Sequence, residues 1–189
     1  MASETRTRMV EGAARLLAVR GLQGTSFSEV LELTGAPRGS VYHHFPDGKD
    51  QLIAAAIDLA GTRALNAVDE WAGRTPEQVT AAFLDLWRSV LVRSELRAGC
   101  AVLAVTVATD SPDLLGAAAN VFRAWRTKLA ALFEAGGLPN APSFAATLVA
   151  ASEGAVVLSR AEQSMEPFEL VAAELMERAS AARPGGTAR

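Results

Sequence analysis

Residues Thr25–Lys49 read TSFSEVLELTGAPRGSVYHHFPDGK, and the rest of the chain is organised around this stretch. Ser26 and Glu29 have the spacing of a capping box, in which hydroxyl and carboxylate satisfy each other's exposed amides and start a helix. Gly35 ends that helix. Pro37 is tolerated in the first turn of a second one, which the spacing carries to about Phe45. At about 100° per residue, Val41 and Phe45 fall together and point inward. Gly39 and His43 point the opposite way, flanked by Ser40 and Tyr42. With Arg38, the outward face offers donors, one aromatic ring and a gap without a side chain. Such a face suits a charged, polar groove.

The order TSFSEVLELTGAPRGSVYHHF followed by Lys49 resembles the helix-turn-helix of the TetR family of transcriptional regulators. In that family a turn glycine precedes Gly-Ser/Thr-aliphatic-Tyr-x-His-Phe, and a lysine opens the next helix. The departures are Leu31 where Ala is usual, Pro37 where Ser is common, and a loop lengthened by Asp47-Gly48. The segment GCAVLAV at 99–105, ahead of a proline-initiated helix, and the FPDGK loop are similar to the LmrA/YxaF-like branch. Members of that branch often control efflux or drug-response genes, which implies an aromatic or drug-like effector.

The resemblance implies an all-α chain of about nine helices. A three-helix DNA-binding domain would span 1–48, an effector-binding and dimerisation domain 49–183, and a disordered tail 184–189. The implied partners are a double-stranded DNA operator, a small-molecule effector and a second copy of the chain, with no cofactor. Arg38, Gly39, Ser40, Tyr42 and His43 would face the major groove, where arginine pairs bidentately with guanine for about 1–3 kcal/mol of discrimination. Ser26, Ser28, Tyr42 and Lys49 would hold phosphates, which orient without specifying. His44, about 60° off the buried direction, packs and donates instead of reading a base. His43 and His44 do not make a metal pair, because neighbours on a helix point apart and no third ligand is near in sequence.

Composition agrees with a soluble helical chain of one or two small domains: 189 residues, half of them apolar and 21% charged, with few aromatics. The net charge of −3 argues against coating nucleic acid indiscriminately. Through Asp50 there are six basic and six acidic residues, leaving 12 basic and 15 acidic beyond it, so DNA binding rests on placed contacts and not on bulk charge. Cys100 is the only cysteine, which excludes an internal disulfide and fits a reducing cytoplasm. No apolar run reaches the roughly 18 residues of a membrane span, and ASETRTR lacks a signal-peptide core, so the expected location is inside the cell.

A first helix, Ser3 to Val19, repeats apolar residues at helical spacing, and Leu17, Phe27, Val30, Val41 and Phe45 form the expected core of the N-terminal bundle. A fourth helix opens at Asp47-Gly48-Lys49-Asp50 and closes at Gly73. Thr75-Pro76-Glu77-Gln78 is a second capping box. Cys100–Ala108 alternates as a strand would but, lacking any partner strand, reads as a short buried helix. Ser111-Pro112-Asp113 starts a seventh helix, stopped by Gly136-Gly137. An eighth spans about Ala141 to Gln163, and Pro167 opens a ninth.

Trp71, Phe83, Trp87, Leu91, Leu103, Thr106, Phe122 and Trp125 are each explained singly as core. Together, by resemblance, they line a pocket for a flat, mainly apolar effector, which Thr106, Asp110, Asn120 and Glu153 would orient. Ala151, Gly154, Ala155 and Leu158, with Leu175 and Met176, allow close helix approach within the chain or, by resemblance, in a four-helix dimer interface. One short reader helix contacts too few base pairs to select a genomic site. Two readers must sit about 34–36 Å apart to enter successive major grooves. The function implied is a repressor released by its effector, the alternative being an activator or ligand-independent regulator of the same family. An enzyme is not expected, because both histidines lie in the reader and Cys100 has no catalytic partner.

Overall fold

Nine helices build the described residues, 2–181, of the computed structural model, and the expected tail at 184–189 lies outside them. They are α1 (Ala2–Arg20), α2 (Phe27–Thr34), α3 (Ser40–His44), α4 (Lys49–Asp69), α5 (Pro76–Arg93), α6 (Ala101–Thr106), α7 (Pro112–Ala135), α8 (Ala141–Glu162) and α9 (Glu166–Ala181). Contacts divide the chain into two compact units, Met1–Arg63 with Cys100–Phe122, and Ala64–Gly99 with Arg123–Arg189. The first unit thus includes α6 and the beginning of α7 as well as the N-terminal helices. Its edges fall inside α4 and α7, beyond the expected division after residue 48.

Local signals set the helix ends. Ser26 Oγ accepts the Glu29 N–H at 3.2 Å while Glu29 Oε2 accepts the Ser26 N–H at 3.1 Å, and Gly35 closes α2 in the left-handed conformation at φ 64°. Thr75 and Gln78 repeat the reciprocal cap at α5, at 3.3 and 3.0 Å. The strand-like run after Cys100 is α6, a helix. Its first turn is capped by the thiol, whose Sγ accepts the Leu103 N–H at 3.4 Å, while Val102 and Val105 are fully buried.

In the first unit, Met9, Ala13 and Leu17 of α1 are buried together with Val30, Val41, Phe45, Leu52, Ile53 and Ile57. Phe27, expected in this core, is only half-buried; its ring lies tilted against Phe45 with centroids 6.5 Å apart. α4 and α7 approach closely at Gly61, where a Cβ would lie 2.6 Å from Val121 Cγ1. Arg63 Nη2 pairs with Glu11 at 2.5 Å and ties α4 to α1.

In the second unit α5, α8 and α9 pack together through Phe83, Trp87, Leu91, Leu148, Phe168 and Leu175, all buried. Arg88 of α5 grips Glu169 of α9 with both arms of its guanidinium, at 2.7 and 2.8 Å, and lies over the Phe168 ring. That grip lowers the Glu169 pKa, hydrogen bonding outweighing a small burial penalty. The buried Ser159 hydroxyl accepts the Phe168 N–H at 3.1 Å, joining α8 to the first turn of α9.

α8 corrects one expectation. Its 22 residues, with a mean hydropathy of 1.4 in the most apolar window, are long and apolar enough to cross a membrane by length and composition alone. Half of that window is buried inside the protein, and the helix also buries Ser152, Glu153 and Ser159. Those polar residues and that burial mark it as a core helix of the second unit.

Candidate DNA interface

A five-residue helix cannot hold its own place, since short helices are marginal without packing. α3 is held from behind by two side chains, Val41 and Phe45, exposed by only 3% and 1%. The Arg6 guanidinium sits 5.5 Å over the Phe45 ring, so α1 braces the same anchor. Ahead of the helix, Pro37 O accepts both the Ser40 N–H at 3.0 Å and the Ser40 hydroxyl at 2.6 Å. This turn moves the helix start from Pro37 to Ser40 and carries Arg38 and Gly39 on the approach. The opposite face is open: Tyr42 is 80% exposed, and Arg38, Gly39 and His43 are exposed beside it. Gly39 has ordinary right-handed geometry, and a Cβ there would meet nothing within 4 Å. The chain itself therefore does not require glycine at this position.

The expected phosphate contacts divide into two groups. Ser28 and Tyr42 are exposed. Ser26 is engaged in the α2 cap; Ser40, expected to face the groove and not a phosphate, is engaged with Pro37 O. Lys49 Nζ donates to Leu22 O at 3.1 Å and fastens the start of α4 to the segment after α1, which uses one of its three protons. The cap also acts on charge. The Ser26 N–H holds the Glu29 carboxyl below its usual value, and Arg20 adds to this from 3.2 Å. His44 is half-buried with its ring edge-on to Phe45, whereas His43 faces out. No group of three or more His, Cys, Asp or Glu among the described residues is placed to hold a metal ion.

Of the expected effector-pocket residues, Trp71, Phe83, Trp87, Leu91 and Trp125 are buried in the second unit. Leu103, Thr106 and Phe122 are half-buried in the first. The Thr106 hydroxyl donates to Val102 O at 2.8 Å within its own helix. Asp110 and Asn120, expected to orient a ligand, are exposed, whereas Glu153 is buried.

Of the expected dimer residues, Ala155 and Leu175 are enclosed by the chain itself at 1% exposure, and Ala151 and Met176 are half-buried. Gly154 and Leu158 face out. Two further apolar residues are exposed, Val157 beside Leu158 on α8 at 49% and Leu170 on α9 at 67%. The signal that finds Val157 is the outward α8 stripe Ala150, Gly154, Val157, Leu158, Ala161, spaced by threes and fours.

A capped helix, a tight turn and a short second helix, anchored by apolar residues behind and polar in front, define a DNA-binding protein of the helix-turn-helix class. Comparison with known proteins agrees. Residues 9–56 match the model of bacterial regulatory proteins of the tetR family, and residues 76–174 match that of the LmrA/YxaF-like transcriptional regulator C-terminal domain. The HTH-type transcriptional regulator Rv0196 of Mycobacterium tuberculosis is 37% identical over 179 residues, covering 90% of this chain and 91% of its own. YxaF of Bacillus subtilis is 27% identical over 91% of this chain and 93% of its own. Among solved structures, a TetR transcriptional regulator from Chloroflexus aurantiacus superposes with a TM-score of 0.79 at 31% identity, covering 95% of this chain and 96% of that one. The chain belongs to the TetR family of bacterial transcriptional regulators, with an LmrA/YxaF-like C-terminal domain. It is a DNA-binding regulator and not an enzyme.

Proposed function

We propose that this regulator is a cytoplasmic homodimeric repressor that binds a palindromic operator and leaves it when a small, mainly apolar effector binds. The observation that carries the reading is the reader itself, with Val41 and Phe45 buried while Tyr42, His43 and Arg38 stand free. Arg38 and His43 supply donors to base edges, Tyr42 and Ser28 hold phosphates, and Gly39 lets the backbone approach the groove. Lys49 contributes a phosphate contact with the protons not spent on Leu22 O.

The outward stripe of α8, with Val157 and Leu158 both exposed, supports the dimer, because exposed apolar surface that is contiguous along a helix marks an interface. Gly154 allows close approach there, since a Cβ would meet nothing within 4 Å. The buried aromatic residues of α5 and α7 support an apolar effector, which would disfavour DNA binding by a coupling of about 1–3 kcal/mol. Footprinting of the DNA upstream of the protein's own gene, with the number of chains per duplex measured, tests the reading. A protected inverted repeat holding an even number of chains, and a reporter that rises when the gene is deleted, are expected. Protection by a single chain, or a reporter that falls on deletion, would refute the repressor dimer.

A further inference from the structure

The first unit carries a cleft of about 470 Å³ between α1, the end of α2 and Arg63 of α4, a volume in the range of small-molecule sites. Arg8, Gly12 and Arg15 share one face of α1 at spacings of four and three. The two arginines are anchored about 10.5 Å apart along the helix axis. Gly12 places no side chain of α1 between them and lets α2 come close instead: a Cβ there would lie 2.5 Å from Thr34 Cγ2 and 3.8 Å from Leu33 Cδ2. Leu33 reaches the same cleft at 48% exposure, an apolar contribution between charged walls.

The charges around this space are unequal. Three arginines face one carboxylate, Glu11, which already pairs with Arg63 at 2.5 Å. Arg8 and Arg15 have no hydrogen-bond or ion-pair partner among the described residues. A guanidinium fork matches a carboxylate or phosphate bidentately. Two such forks on separate anchors, with leucine between, match two anionic groups joined by an apolar body.

We propose that this cleft is a binding site for an elongated small dianion, one charged end on Arg8, the other on Arg15, its apolar middle against Leu33. None of the residues assigned to DNA lines the cleft, although Met9, next to Arg8, has its Sδ 3.9 Å from the Ser40 hydroxyl of the reader. Its test reads small-molecule binding directly and needs no operator.

The full chain is titrated calorimetrically with decanedioate, decanoate and inorganic pyrophosphate. Decanedioate is expected to bind saturably, and more weakly at high salt. Arg8→Gln and Arg15→Gln, both at exposed positions, are each expected to weaken it by about tenfold or more, with unchanged circular dichroism. Leu33→Ser and the loss of one carboxylate in decanoate are expected to weaken it as well. Absence of decanedioate binding, equal affinity in the arginine variants, or decanoate matching decanedioate would overturn the proposal. Tighter binding of pyrophosphate would overturn it too, by showing a compact-anion site.

Discussion

Gly61→Ala tests how α4, the helix that follows the reader, is seated in the first unit. The new Cβ would lie 2.6 Å from Val121 Cγ1 and 2.9 Å from Val121 Cγ2. Favourable carbon–carbon separation is about 3.5–4.0 Å, so α4 and α7 must part by roughly 1 Å or Val121 must change rotamer. Overpacking of this kind costs about 1–3 kcal/mol. Alanine in a helix interior recovers about 1 kcal/mol relative to glycine. The balance is a net loss of up to about 2 kcal/mol, or several degrees at roughly 2–4 °C per kcal/mol for a chain of this size.

Val121→Ala removes both methyl groups that the new Cβ meets, so the double variant should be more stable than the two single effects sum to. The expected coupling is about 1–2 kcal/mol in a double-mutant cycle, within the range for residues in contact. Thermal unfolding of the four proteins, with chain concentration held fixed, measures it. A Gly61→Ala protein more stable than the parent, or a cycle with no coupling, would refute the close approach of α4 and α7.

Arg38→Ala and His43→Ala should each lower operator affinity by roughly 5- to 150-fold, the equivalent of about 1–3 kcal/mol, with thermal stability unchanged; DNA-binding titrations of the purified variants give the number. Leu158→Asp places a charge on the outward stripe of α8 and should yield monomers in sedimentation at concentrations where the parent is a dimer; dimers of unchanged affinity would move the interface elsewhere. Glu169→Gln should flatten the acid side of the stability profile. The Glu169 carboxyl has a lowered folded pKa, so its contribution is present above the unfolded value of 4.5 and lost as pH falls through the folded one. Melting temperature against pH in the parent and the variant checks the sign.

Much of this molecule is written locally. Capping boxes at Ser26–Glu29 and Thr75–Gln78 need only residues three apart, and Gly35 ends α2 because glycine enters the left-handed region without strain. The inward pair Val41 and Phe45 follows from helical spacing, and the reader motif from order alone. Three-dimensional packing decided matters of the opposite kind. Ala155 and Leu158 both look available for contact on a helical wheel, yet the fold buries the first and leaves the second outside. Lys49 is held by a carbonyl 27 residues away, and Cys100 became a helix cap in a run whose alternation spells strand. Arg8, Arg15 and Leu33 acquired a common cleft only when α1 and α2 closed on Gly12. Bonds made within one helical turn are encoded by adjacent residues, whereas the partner of an exposed or buried face is chosen by elements distant in the chain, and no local pattern records that choice.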